Sequence, residues 1–109
     1  MVIASFPFQT IDWTSIPREE HKGETGIAYW QTQMVNDIRV RRVEYSAGYK
    51  ADHWCSKGHI LFCMEGTMNT ELADGRTLQL SKNMCYFVGD NNEAHRSFTD
   101  TGCQLFIVD

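Results

Sequence analysis

The feature that most constrains this chain is its rhythm. Short runs rich in β-branched and aromatic residues are broken by glycine-containing turns about every eight to twelve residues, the pattern of an all-β sandwich or barrel. The runs predict strands over 26–33, 38–46, 51–55, 59–65, 67–72, 77–80, 84–88, 95–99 and 104–108. Little of the sequence reads as helix. Asp74-Gly75, between Leu72 and Thr77, predicts a tight hairpin, because a two-residue type I′ turn needs positive φ at both central positions.

The 109 residues suffice for one core and one domain. Residues 1–26 read as an N-terminal arm, irregular or briefly helical, with Pro17 at a helix N1 position and with Trp13 and Ile16 needing apolar surface. That surface is the barrel of the same chain or a partner subunit. Residues 27–109 read as the barrel itself. A net charge of −4 argues against nucleic-acid binding, which needs a basic footprint. The apolar run Ile60 to Met64 is too short to cross a bilayer, and no run is longer. With no export signal at the N-terminus and no glycosylation sequon, a cytoplasmic protein with free thiols at Cys55, Cys63, Cys85 and Cys103 is expected.

The residues that carry chemistry are His53, Cys55, His59 and His95. Side chains two apart in a strand share a face, so His53 and Cys55 should project together. Ser56-Lys57-Gly58 is short enough to reverse the chain and return His59 to the same point, and His95 follows the polar loop Asp90 to Ala94. Imidazole nitrogens and a thiolate converging there are a metal-ligand set.

Gly48, four residues, His53-x-Cys55, three residues, His59, six residues and Gly66 resemble the first motif of the cupins, usually Gly-x5-His-x-His-x3-4-Glu-x6-Gly. Leu80 to Val88 followed by His95 resembles their second motif. More narrowly, Asp52-His53-Trp54-Cys55 with Lys57-Gly58-His59-Ile60 is similar to a small group of single-domain proteins named for a DHCW motif. The resemblance covers residues 27 to 108 and implies a double-stranded β-helix, the jelly-roll type of barrel, with one divalent metal in its mouth. Two departures stand out: Cys55 occupies the place of the usual second His, and His59 that of the usual Glu.

Those departures decide the chemistry. If His53, Cys55, His59 and His95 all coordinate, the site is tetrahedral and soft, suiting Zn²⁺ best, with Fe, Ni and Cu as alternatives. If Cys55 stays out, three histidines leave open positions, and a metal-dependent oxygenase or isomerase becomes an alternative. A non-catalytic sensing barrel and a purely structural metal are the others. Leu61 and Cys63 share the parity of His59 and, with Tyr86 and Arg41, are candidate pocket-lining residues, whereas Ile60, Phe62 and Met64 face outward. That apolar outer face points to a homodimer, and the cavity to a small-molecule ligand. Arg39, Arg41 and Arg42 read mostly as a solvated strand face, although an inward arginine could clamp a carboxylate. Ile38 and Val40 share one parity and Val43 and Tyr45 the other, which predicts a bulge near Arg41-Arg42. His21, in a charged stretch, reads as solvated.

Overall fold

The computed structural model describes residues 3–109. Its strands are β1 (Glu19–Lys22), β2 (Ile27–Val35), β3 (Ile38–Tyr45), β4 (His59–Leu72), β5 (Thr77–Ser81), β6 (Cys85–Val88), β7 (His95–Phe98) and β8 (Cys103–Val108). All pairings between them are antiparallel, in the order β1-β2-β3-β8-β4-β5, with β6 and β7 also pairing β4. β4 therefore belongs to both sheets of the barrel. Its first half pairs with β8 and β6, and its second half with β5 and β7.

The sequence reads two strands where β4 is one, because Gly66 looks like a corner. It is instead a residue with φ +78 inside a continuous strand. The register with β8 shifts between Cys63 and Glu65, leaving Met64 as an extra residue. A one-residue bulge reverses the inward parity of everything beyond it. Leu61 and Cys63 are buried before the bulge, and Met68, Thr70 and Leu72 after it. Leu61, Cys63 and Met68 belong to the hydrophobic core with Val43, Leu105 and Ile107.

No bulge is needed near Arg41-Arg42, since β3 keeps regular register with β2 and β8 throughout. Arg39, Arg41, Val43 and Tyr45 share the inner face, and the apparent break in alternation comes from two arginines turned inward. Asp109, just beyond β8, makes this tolerable. Its carboxylate has no exposed surface and takes a forked pair of bonds from Arg39, Nε to Oδ1 at 2.9 Å and Nη2 to Oδ2 at 2.8 Å. Arg41 Nη2 reaches Oδ2 at 3.2 Å. The backbones of Arg39 and Asp109 exchange both hydrogen bonds, at 2.7 and 3.0 Å, which fixes this register.

Among the described residues, the arm is irregular apart from one brief helical turn and one strand. A single 3-10 turn, Trp13–Ser15, is capped by Asp12, and Pro17 follows it rather than opening a helix. Glu19–Lys22 then becomes the edge strand beside β2. Trp13 lies edge-on to Phe106 at 6.2 Å, and Gln31 Nε2 donates to the carbonyls of Trp13 and Ile16 at 2.7 and 2.8 Å. His21, with its side chain 40% exposed, also stacks on Trp30 at 3.9 Å. At the β4–β5 hairpin only Gly75 takes positive φ, +94, after a turn closed by its own N–H on the Leu72 carbonyl. This is the pattern of an ordinary turn followed by a glycine bulge, not a type I′ turn.

Two outcomes follow from these contacts. Gly66→Ala places a Cβ 2.2 Å from the Gly102 carbonyl oxygen, whereas Gly75→Ala meets nothing within 4 Å. Thermal unfolding should show Gly66→Ala losing about 2 kcal/mol or more and Gly75→Ala about 1 kcal/mol. Burial alone would raise the Asp109 pKa, but bonding to Arg39, the nearby His59 ring and the charge of Arg41 hold it well below its ordinary 3.8. The stability it contributes is present above that value and lost as pH falls below it. Asp109→Asn should cost about 3 kcal/mol at neutral pH and flatten the acid decline; parallel acid limbs in the two proteins would assign the decline to other carboxylates.

Candidate metal centre

Three elements bring the donors together. His59 opens β4, His95 opens β7, and Cys55 sits opposite His95 in an isolated bridge. Cys55 and His95 exchange both backbone hydrogen bonds, at 2.8 and 2.9 Å. The loop between Cys55 and His59 is tied to the loop before β7, with Gly58 N donating to Asp90 Oδ1 at 2.7 Å and Asn91 N to the Ser56 carbonyl at 2.8 Å. Among the described residues Cys55, His59 and His95 form a group that could hold a metal ion, their ligand atoms all within 4.8 Å of one another.

The hydrogen bonds orient the nitrogens. His95 Nδ1 is 2.8 Å from the Glu93 carbonyl oxygen, which only accepts, so the ring proton sits there and the Nε2 lone pair is free. That lone pair faces His59 Nε2 at 3.0 Å. Tyr86 Oη lies 2.9 Å from the same His59 nitrogen, and burial pushes the Tyr86 hydroxyl pKa far up, so it stands as a donor. His59 Nδ1 is buried without a hydrogen bond, 3.6 Å from Asp109 Oδ2. Either neutral tautomer of His59 then leaves one contact unfavourable. With the proton on Nδ1, two lone pairs meet at 3.0 Å; with it on Nε2, a bare nitrogen faces a carboxylate. A cation held by the two Nε2 atoms, with the Tyr86 hydroxyl turned away, would relieve the first arrangement and leave the His59 Nδ1 proton facing Asp109, as carboxylates stand behind metal-bound histidines. Burial, chiefly, and His59 secondarily lower the His95 pKa below 6.5 against the opposing Glu93 bond, which favours the neutral, ligating ring. The donor set and the orphaned nitrogen both fit a metal.

His53 lies outside that group. Its side chain is 76% exposed, and Nδ1 contacts Asp52 Oδ1 at 2.6 Å. The expected strand over 51–55 does not form because the pairing with β7 gains residues: Lys50 lies opposite Phe98 and Cys55 opposite His95. Five steps on one side meet three on the other. Two extra residues must leave the ladder, and the chain bends at Asp52-His53. The alternation that would align His53 with Cys55 is lost there, although His53 still lines the rim of the same cavity.

The cavity holds about 140 Å³. Leu61, Tyr86 and Arg41 line it, as do Arg39, Trp30 and Asp109. Cys63, on the same strand face, packs deeper, its thiol 3.5 Å from the Glu65 and Gly66 carbonyls. Asp109 is the site residue that sequence reasoning missed. Its signal was the inward parity of Arg39 and Arg41, which demands a buried carboxylate somewhere. All four cysteines are free.

Among the described residues no helix is long and apolar enough to cross a membrane. No protein-family model matches the chain, and no curated protein matches it. Solved structures do. The polyketide cyclase RemF from Streptomyces resistomycificus shares 19% identity at a TM-score of 0.74, covering 94% of this chain and 78% of that one. An RmlC-like cupin from Shewanella frigidimarina shares 16% identity at 0.74, covering 94% and 89%. A sugar phosphate isomerase from the cupin superfamily of Silicibacter pomeroyi shares 14% identity at 0.73, covering 92% and 74%. At such identities the likeness speaks for architecture: this chain has the cupin barrel fold.

Proposed function

We propose that this chain is a metal-binding cupin barrel holding one divalent ion on Cys55, His59 and His95, with His53 as a fourth ligand drawn in from the bent segment, and that it takes a small polar metabolite into the same cavity. The observation that carries this reading is the convergence of three donor atoms within 4.8 Å, one of them a histidine lone pair fixed by a backbone carbonyl. Thiolate and imidazole together suit Zn²⁺, with Fe, Ni and Cu as alternatives. Bound there, such an ion supplies a Lewis acid if a coordination position stays open, and a structural clamp if all four residues close on it.

The residues of the chain have definable tasks. Glu93 holds the His95 proton on Nδ1, Asp109 stands behind His59, and Tyr86, 2.9 Å from His59 Nε2, would turn its hydroxyl away from that nitrogen when a metal takes the lone pair. Solved neighbours include proteins described as a polyketide cyclase and a sugar phosphate isomerase. What they share with this chain is the barrel, so no reaction is carried over from them. Cys55 inside the cluster and His53 outside it favour a mixed sulfur–nitrogen site over three open histidines. The outer face supports self-association into a homodimer, since Ile60, Phe62 and Phe87 are 39%, 37% and 79% exposed on neighbouring strands.

Metal analysis of the purified protein and its cobalt-substituted form tests the site. One ion per chain is expected, with a thiolate-to-cobalt charge-transfer absorption that Cys55→Ala abolishes. Cys55→Ala, His59→Ala and His95→Ala should each lose more affinity than the roughly 10–100-fold typical of removing an outer-shell partner. Asp109→Asn should fall within that outer-shell range. His53→Ala separates three-residue from four-residue coordination: a loss as large as that of His59→Ala places it in the ligand set, and unchanged loading removes it. Full loading of a His59→Ala/His95→Ala double variant would overturn the proposal.

A further inference from the structure

The inner face of β3 places two guanidinium groups where the barrel supplies one carboxylate. Asp109 is committed to Arg39 through the forked pair of bonds described above, and Arg41 shares only Oδ2, at 3.2 Å. That is long for a charge-assisted bond. The Arg41 side chain is 6% exposed, and its Nε is buried with no partner. Trp30 covers the guanidinium at 4.4 Å from the ring centroid, which compensates part of the charge but accepts no hydrogen bond in the guanidinium plane. A planar cation with an unfilled edge inside a cavity is a receptor for a planar anion.

We infer that this cavity takes a small monocarboxylate, seated on the guanidinium of Arg41 with its remainder pointing toward His59 and Tyr86. The inference rests on reading the cavity as a ligand site, as proposed above, but not on the metal. Charge selects the monoanion: Arg39 and Arg41 against Asp109 leave one positive charge, and a dianion would face the buried Asp109 carboxylate uncompensated. Burial first, and Arg39 second, lower the Arg41 pKa, as expected for a cation short of negative partners. Size selects a short acid, since about 140 Å³ equals the share of roughly four or five waters. The lining is polar beyond Arg41 and includes the Tyr86 hydroxyl and the His59 ring, which lie 2.9 Å from each other. Arg96 also lines the cavity, but Glu71 accepts from it at 3.0 Å, so it adds no free charge.

The test uses the whole chain, as purified and after chelation, titrated with acetate and pyruvate, and with acetamide and inorganic phosphate as comparisons. The readouts are thermal shift and the ¹⁵N resonance of the arginine Nε–H groups. A saturable rise in Tm with the carboxylates but not with acetamide is expected, together with a shift of one slowly exchanging arginine Nε–H signal. Arg41→Lys keeps the charge but loses the fork, and should bind pyruvate about tenfold or more weakly at unchanged metal content. The Nε–H titration of the unaltered protein stands independently if that variant does not fold. No Nε–H shift, equal response to acetamide, or preference for phosphate overturns the carboxylate site. Pyruvate binding by a protein that never takes up metal supports the site while refuting the metal reading; metal uptake without carboxylate binding does the reverse.

Discussion

The carboxylate of Asp109 is fully buried, and two arginines and a histidine converge on it from β3 and the start of β4. A charge in that position is costly unless its oxygens are filled. Arg39 fills both from the inner face, with Arg41 beside it on the same face, which fixes the parity of β3 and thereby puts Val43 and Tyr45 into the core. The reciprocal backbone bonds between Arg39 and Asp109 then fix the register of β8 against β3. From β8 the constraint passes to β4, whose first half pairs with it and presents His59 to the cavity. One buried ion cluster thus couples sheet register to the position of a candidate ligand.

The candidate metal centre depends on two irregularities in otherwise regular pairing. The extra Met64 lets one long strand serve two sheets, with odd-numbered residues inward before it and even-numbered residues after it. The two extra residues at Asp52-His53 shorten the distance between a bridge at Lys50 and a bridge at Cys55, so that Cys55 lands beside His95. A regular strand from Ala51 to Cys55 would place His53 inside and carry the loop to β4 in a different direction. Bulges next to functional sites commonly re-aim a side chain in this way.

Much of the architecture was legible in the sequence because alternation survives wherever strands are regular. The strand series, the inward parity of Leu61 and the outward parity of Ile60 and Phe62 all follow from period two. What alternation cannot carry is an inserted residue. The continuity of β4 through Gly66, the bend that turns His53 aside, and the edge strand Glu19–Lys22 in a charged stretch each depend on a partner strand that no local pattern names. Arg39 and Arg41 are illegible for a different reason: an inward charge needs a buried counter-ion, and Asp109 lies 70 residues along the chain from Arg39.

The same cluster explains why the cavity has a sign. Once Asp109 is forked to Arg39, the geometry that satisfies the fold leaves Arg41 incompletely satisfied, and among the described residues no second carboxylate lines the cavity. Replacing Arg41 with an apolar residue would remove that deficit and would cost the fold little, since Arg39 alone holds both Asp109 oxygens. A buried cation beyond what the fold needs, set beside oriented histidine nitrogens, is therefore better understood as part of a site than as part of the scaffold.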